Sequence, residues 1–62
     1  GKAREKILQM RSGTSLTTRE LSEKHAELEL PPWAFKAAAH KLEKEGKAKI
    51  ENANRVNTVT RV

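Results

Sequence analysis

The chain has no cysteine and no tyrosine, and it contains only one tryptophan and one phenylalanine. Without cysteine it has neither a disulfide framework nor thiolate ligands for a metal, so one small core must hold the fold together. Its acidic residues are all glutamate, and two histidines without cysteine or aspartate make a poor zinc site. We therefore expect no metal and no other cofactor.

Long hydrophobic runs and catalytic arrangements are missing as well. No segment approaches the roughly 20 apolar residues that span a bilayer, and nothing resembles a signal peptide, so we expect an intracellular chain in the cytoplasm, nucleoid or nucleus. The sequence has no glycine-rich phosphate loop and no Ser–His–acid arrangement at a recognisable spacing. Glutamates on solvated basic helices lack the burial that tunes a catalytic acid or base, so an enzyme is not expected.

Charge is the most informative part of the composition. The 62 residues make one domain at most, with a net charge of +5 and an isoelectric point near 10.0. Residues 1–19 carry five basic residues and one acidic residue, residues 20–30 carry one lysine and four glutamates, and residues 31–62 carry seven basic and three acidic residues. Two basic regions around an acidic one suggest a surface that faces a polyanion, although charge alone is equally explained by general solubility. The start at Gly1 suggests an expression scar or a domain cut from a longer protein.

The stretch 31–50 predicts one helix that leads directly into a strand. Pro32 suits the first helical position, and Gly46 supplies the left-handed residue that commonly ends a helix. We expect the backbone N–H groups of Trp33 and Ala34 to be left for water or an anion, because Pro31 offers no side-chain cap. An apolar face forms at helical spacing from Phe35, Ala38, Ala39 and Leu42.

The remaining segments predict two further helices and a hairpin. The spacing predicts a first helix over 2–12, a stub of strand at 14–16 with Leu16 inward, and a second helix that starts with the Thr17–Glu20 capping box and ends near residue 27 or 28. We expect His25 to cap or line the core with one hydrogen bond. Alternation predicts strands at 47–51 and 55–62 around a turn at 52–54. Val56 and Val62 fall on one face and Val59 on the other, which predicts a bulge or a frayed end.

The fold class is therefore α+β, with three helices and a two- or three-stranded antiparallel sheet. This order of elements resembles the winged helix–turn–helix superfamily. The run Leu-Thr-Thr-Arg-Glu-Leu at 16–21 is similar to the start of that superfamily's second helix, and Leu-Glu-Lys-Glu-Gly at 42–46 is similar to the end of its recognition helix. The chain departs from the pattern at 26–30, which is longer than the usual short turn, and at His25, where an apolar residue is usual.

The resemblance covers nearly the whole chain. It implies that residues 1–62 form a single winged domain that binds double-stranded DNA in a regulatory role. The recognition helix at about 32–45 would enter the major groove, and the wing at about 47–61 would contact the backbone. The candidate nucleic-acid contacts are Thr18, Arg19, Trp33, Lys36, Ala37, His40, Lys41, Lys44, Asn54 and Arg55.

Alternatives to DNA binding remain open on the sequence, and the simplest is that Lys36, His40, Lys41 and Lys44 form an ordinary solvated helix face near Glu43 and Glu45. Trp33, Ala34 and Ala37 would serve as an anchor patch if the same fold docked a protein partner. Recognition of RNA would place more weight on stacking at Trp33 than on Lys44. Taken alone, Trp33 favours partial packing into the core, against Leu28 or the prolines, as a single tryptophan in a small domain more often does.

Overall fold

The computed structural model describes all of residues 1–62, and it confirms the predicted α+β class. Its antiparallel sheet has three strands, the larger of the two numbers expected. None of the helices is long and apolar enough to cross a membrane. The elements are α1 (Lys2–Leu8), β1 (Ser15–Thr17), α2 (Thr18–Lys24), a 3-10 turn (Ala26–Leu28), α3 (Pro32–Lys44), β2 (Ala48–Ala53) and β3 (Val56–Arg61).

The core lies between the three helices and one face of the sheet. α3 crosses its centre with the predicted apolar face inward, and Ala38 at the edge of that face is partly buried. Burying a large apolar side chain stabilises a fold by about 1.5–3 kcal/mol, so these few residues dominate the stability of so short a chain. The buried apolar residues are Ala3, Ile7, Leu21, Phe35, Ala39, Leu42, Ala48 and Val59.

The sheet order β1-β3-β2 places the last strand in the middle. Leu16 and Ile50 both pair with Val59, so one row of apolar side chains runs across all three strands. The register is continuous along β3, and Val59 is buried while Val56 and Val62 are exposed. The predicted bulge or frayed end is therefore wrong, because Val59 alone of these three valines belongs to the core face.

Helix α1 ends at Leu8, four residues earlier than predicted. The Gln9 N–H donates to both Glu5 O and Lys6 O, and the Met10 N–H donates to Ile7 O, so the last turn tightens. The chain must then turn to reach the sheet, where the Gly13 N–H donates to Arg61 O at 2.7 Å. This long-range pairing ends the helix before its local pattern does.

Helix α2 begins as predicted, with the Thr17–Glu20 capping box fully formed. The Thr17 hydroxyl accepts from the Glu20 N–H at 3.0 Å, and the Glu20 carboxylate accepts from the Thr17 N–H at 2.9 Å. The predicted end is wrong, because the helix stops at Lys24 and a 3-10 turn follows. The Ser22 hydroxyl donates to Leu30 O at 2.6 Å and draws the chain back toward α3.

His25 lines the core as predicted. Its ring stacks on Phe35 with centroids 6.4 Å apart, and its side chain is 15% exposed. The expected hydrogen bond is absent, and its closest charged neighbour is the Glu27 carboxylate at 4.0 Å from Nδ1. The stacked ring lies at the residue where α2 gives way to the 3-10 turn.

Both ends of α3 follow the local signals of the sequence. Pro31 precedes the helix in an extended conformation, Pro32 opens it, and Gly46 lies just past its end with a φ of 74°. The Lys47 N–H donates to Leu42 O at 2.9 Å, and the Gly46 N–H donates to Glu43 O at 3.0 Å, as in a Schellman motif. One expectation is wrong: the Ala34 N–H is not free, because it donates to Pro31 O at 3.0 Å.

Candidate nucleic-acid interface

The face of α3 that points away from the core carries most of the predicted site. Its centre is a line of residues at intervals of four, three and four, which follows one side of a helix. Lys36 and Lys41 flank this line, and all six side chains are exposed. We call this surface the outer stripe, and its residues are Trp33, Lys36, Ala37, His40, Lys41 and Lys44.

Trp33 is the largest exposed apolar side chain of the molecule. It is 70% exposed, against 47% for Val56 and 52% for Val62. The alternative that Trp33 packs partly into the core is therefore wrong. Trp33 lies near the start of α3, about one helical turn before Ala37 on the outer stripe. Packing of the core does not explain why so large a side chain occupies this position.

The lysines of the outer stripe are not neutralised by the glutamates near them in sequence. The Glu43 carboxylate accepts a hydrogen bond from the Ile50 N–H at 3.2 Å, so it is directed toward β2. Glu45 accepts two hydrogen bonds from Arg4, at 2.7 and 2.8 Å, and lies 3.5 Å from the Lys47 ammonium. Lys36, Lys41 and Lys44 form no ion pair within 4.0 Å.

The Arg4–Glu45 pair also decides which charges are available at this surface. Its bidentate hydrogen bond holds the pKa of Glu45 at about 2, well below the ordinary value of 4.5. Glu45 therefore stays ionised at neutral pH and keeps Arg4 occupied. Arg4 is a basic residue close to α3 that does not belong to the site.

A second basic surface is a cleft of about 550 Å³ where three segments meet. Arg19 comes from the first turn of α2, Arg55 from the turn between β2 and β3, and Pro32 from the first residue of α3. Neither arginine has an acidic partner or a side-chain hydrogen bond within the chain. We call it the arginine cleft, and it adjoins the outer stripe because Pro32 directly precedes Trp33.

The other predicted residues of α2 and the hairpin also line this cleft. Asn54 is exposed at the turn, whereas Thr18 is only 6% exposed and offers little of its side chain to a ligand. Sequence reasoning missed Asn57, which lines the cleft and accepts a hydrogen bond from the Asn52 amide at 3.0 Å. The hairpin register would have found it, since Asn52 and Asn57 are direct cross-strand partners.

The turn itself lies further along the chain than predicted. β2 continues to Ala53, so the loop has only two residues, Asn54 and Arg55. Both have positive φ, 52° and 65°, as a type I′ hairpin turn requires. The shift places the arginine at the tip of the hairpin rather than at the start of the returning strand.

An apolar groove of about 360 Å³ separates the start of α1 from α3. Its walls include Ala3, Leu30 and a run of alanines on α3, and Lys41 stands at its rim. Sequence reasoning missed this groove because it depends on how α1 packs against α3. We call it the alanine groove, and it borders the outer stripe through Ala37.

The structure contains no group of three His, Asp or Glu side chains that could hold a metal ion.

Comparison with known proteins found no matching family model, no matching curated protein and no matching solved structure. The surface itself is therefore the basis for a functional proposal.

Proposed function

We propose that this chain is a winged helix–turn–helix domain that binds double-stranded DNA. In this proposal α3 is the recognition helix and enters the major groove, α2 crosses the backbone, and the β2–β3 hairpin is the wing. The element order and the position of the hairpin beside the start of α3 support the resemblance. A regulatory role, such as control of transcription, is the use that the resemblance implies.

The observation that carries the proposal is a set of five unpaired cations on two adjoining surfaces. Lysines on the outer stripe and arginines in the cleft form no ion pairs, although the chain has eight glutamates. DNA phosphates are the natural partners of such charges, and a helix of this diameter fits the major groove. The cations are Arg19, Lys36, Lys41, Lys44 and Arg55.

One domain of this size has a limited contact area. A single small module buries about 600–1,000 Å² of protein surface on DNA, which is less than most specific complexes use. Tight and selective binding would therefore need a dimer or neighbouring domains of a longer chain. The isolated domain should bind duplex DNA weakly and with a strong dependence on salt.

The test compares two triple variants with the same change in net charge. In the first, Lys36, Lys41 and Lys44 become glutamate; in the second, Lys2, Lys6 and Arg11, which lie in or just after α1 and outside the proposed surface, become glutamate. We expect the first to weaken binding of a labelled mixed-sequence duplex about 10- to 100-fold beyond the second. Fluorescence anisotropy gives both affinities, and circular dichroism checks that both variants fold.

Salt dependence supplies a second readout of the same experiment. If five cations meet phosphates, log K should fall against log salt with a slope of up to about −4.5, and the outer-stripe variant should show about −2. Equal affinities for the two triple variants would refute the proposal, since charge alone and not its position would then control binding.

Protein docking is the second candidate, and the alanine groove is the observation that favours it. A partner anchored there and on Trp33 would bury apolar surface, so its affinity would depend little on salt. Titration with a hairpin RNA in parallel identifies the RNA-binding alternative, because stacking would change Trp33 fluorescence more strongly than duplex binding does.

A further inference from the structure

We infer that Trp33 and Ala37 read the C5 methyl groups of pyrimidines in the major groove, so that the preferred duplexes are rich in thymine. This inference rests on the proposed function and names the base feature that the outer stripe recognises. It starts from the composition of that stripe, in which the first two residues of the central line, Trp33 and Ala37, are apolar and the cations lie beside or beyond them.

The exposure of Trp33 is the first step. A 70% exposed indole gains little from the core, and it makes no hydrogen bond within the chain. Its contribution to folding therefore does not explain its presence on this face. The other exposed large apolar residues, Val56 and Val62, lie in or just after β3, away from the outer stripe.

The second step is the continuity between Trp33 and Ala37. Residues four apart in an α-helix are separated by about 6 Å along its axis and lie on the same side. The indole and the Ala37 methyl therefore form one apolar strip, and the small side chain of Ala37 lets a base edge approach the helix closely. The two carboxylates near the C-terminal end of α3 are engaged elsewhere, since Glu43 bonds to β2 and Glu45 to Arg4.

The chemistry of the groove supplies the third step. Base edges in the major groove present hydrogen-bond donors and acceptors, and the thymine methyl is the one apolar group among them. Pressing an apolar strip against polar edges leaves those groups without partners, which is unfavourable. A methyl group buries its own surface instead, so thymine and 5-methylcytosine fit the strip better than cytosine does.

The experiment changes only the methyl groups. One DNA duplex alternates adenine and thymine (A–T), and the other has deoxyuridine in place of every thymidine (A–U), so the two differ in the major groove only by the C5 methyl group. Anisotropy measures both affinities at the same salt concentration. We expect the A–T duplex to bind about 4-fold more tightly for each methyl that becomes buried. A second pair of duplexes, with cytosine or 5-methylcytosine opposite guanine, should show the same direction.

Variants then assign the preference to Trp33. Trp33→Ala should remove most of the difference between the A–T and A–U duplexes, because only the Ala37 methyl remains on the strip, while keeping salt-dependent binding to both. Val62→Ala truncates an exposed apolar side chain outside the outer stripe and should keep the full difference.

Two other outcomes would overturn the methyl inference, and a third would overturn the proposed function. Equal binding of the A–T and A–U duplexes by the unchanged chain overturns the methyl inference and leaves DNA binding intact. A Trp33→Ala variant that loses affinity equally for both duplexes and retains the full preference also overturns it, because the indole then does not read the methyl group. Failure to bind any duplex overturns the proposed function itself.

Discussion

Arg55 shows the sharpest conflict between a side chain and its backbone. It is the second residue of a two-residue hairpin loop and has a φ of 65°, in the left-handed region that favours glycine. Asn54, with a φ of 52°, tolerates this region better because its short polar side chain bonds locally. A strained residue at the proposed binding surface is consistent with a role for its side chain, and Arg55 lines the arginine cleft together with Arg19.

Replacing Arg55 should therefore separate stability from binding. We expect Arg55→Gly to raise the free energy of unfolding by about 1 kcal/mol, because the left-handed strain of about 1–2 kcal/mol is relieved and only part is returned as backbone entropy. The same variant should lower duplex affinity and make the salt slope shallower by about 0.9, because one phosphate contact is lost. Urea unfolding and anisotropy measure the two effects.

Arg55→Lys is the matched control for that change. It keeps the charge and the strain, so its stability should equal that of the unchanged chain and its affinity should fall less than for glycine. If Arg55→Gly were more stable and bound DNA with unchanged affinity and salt slope, Arg55 would have no place in the interface.

At the scale of elements, the sequence predicted best where the signals are local. α3 begins at Pro32 and ends before Gly46 as expected, because proline and glycine act on the backbone within one or two residues. The ends of α1 and α2 could not be predicted in this way. They depend on Gly13 pairing with Arg61, on Ser22 bonding to Leu30, and on stacking at Phe35, all of which require the folded chain.

Strand β3 shows a different limit of sequence reasoning. Its valines are spaced by three, which matches neither face of an alternating strand, so the pattern could not say which valine is buried. Pairing decides the question, since Val59 lies opposite both Leu16 and Ile50 in the middle of the sheet. The structure therefore assigns very different energetic roles to residues of the same type in one strand.

Truncating two of these valines tests that assignment. Val59→Ala removes two methyl groups from a fully buried site and should lower the free energy of unfolding by about 2 kcal/mol. Val56→Ala makes the same chemical change at a site that is 47% exposed and should lower it by less than about 0.5 kcal/mol. Chemical denaturation gives both values, and similar losses for the two variants would contradict the register of β3.

At the scale of the whole molecule, the sequence identified the charged residues but not their partners. It predicted that the lysines of α3 are exposed, since they lie opposite Phe35 and Leu42 on a helix. It could not predict that they are unpaired. Glu45 is close to these lysines in sequence, but its carboxylate is bound by Arg4, which is 41 residues away in the chain. The arginine cleft likewise needs three segments to meet, and periodicity in one segment does not show that.

The Arg4–Glu45 pair also ties the first helix to the end of the third, so it should link the stability of the whole domain to pH. Arg4 holds the pKa of Glu45 at about 2, against 4.5 in the ordinary case. Above about pH 4.5 the carboxylate is ionised in both the folded and the unfolded chain, and the pair contributes fully. As the pH falls toward 2, the unfolded chain takes up the proton first, and this contribution to stability is lost.

Glu45→Gln should therefore lower the melting temperature at neutral pH. Between about pH 4.5 and pH 2 the melting temperature of the variant should fall less steeply than that of the unchanged chain, so that the two values converge at low pH. Glu23→Gln removes an exposed carboxylate that makes no ion pair or hydrogen bond, so it should leave the steep decline unchanged. Thermal unfolding followed by circular dichroism across this pH range compares the variants. A decline that stays as steep in Glu45→Gln as in the unchanged chain would mean that another carboxylate, and not the one held by Arg4, controls acid stability.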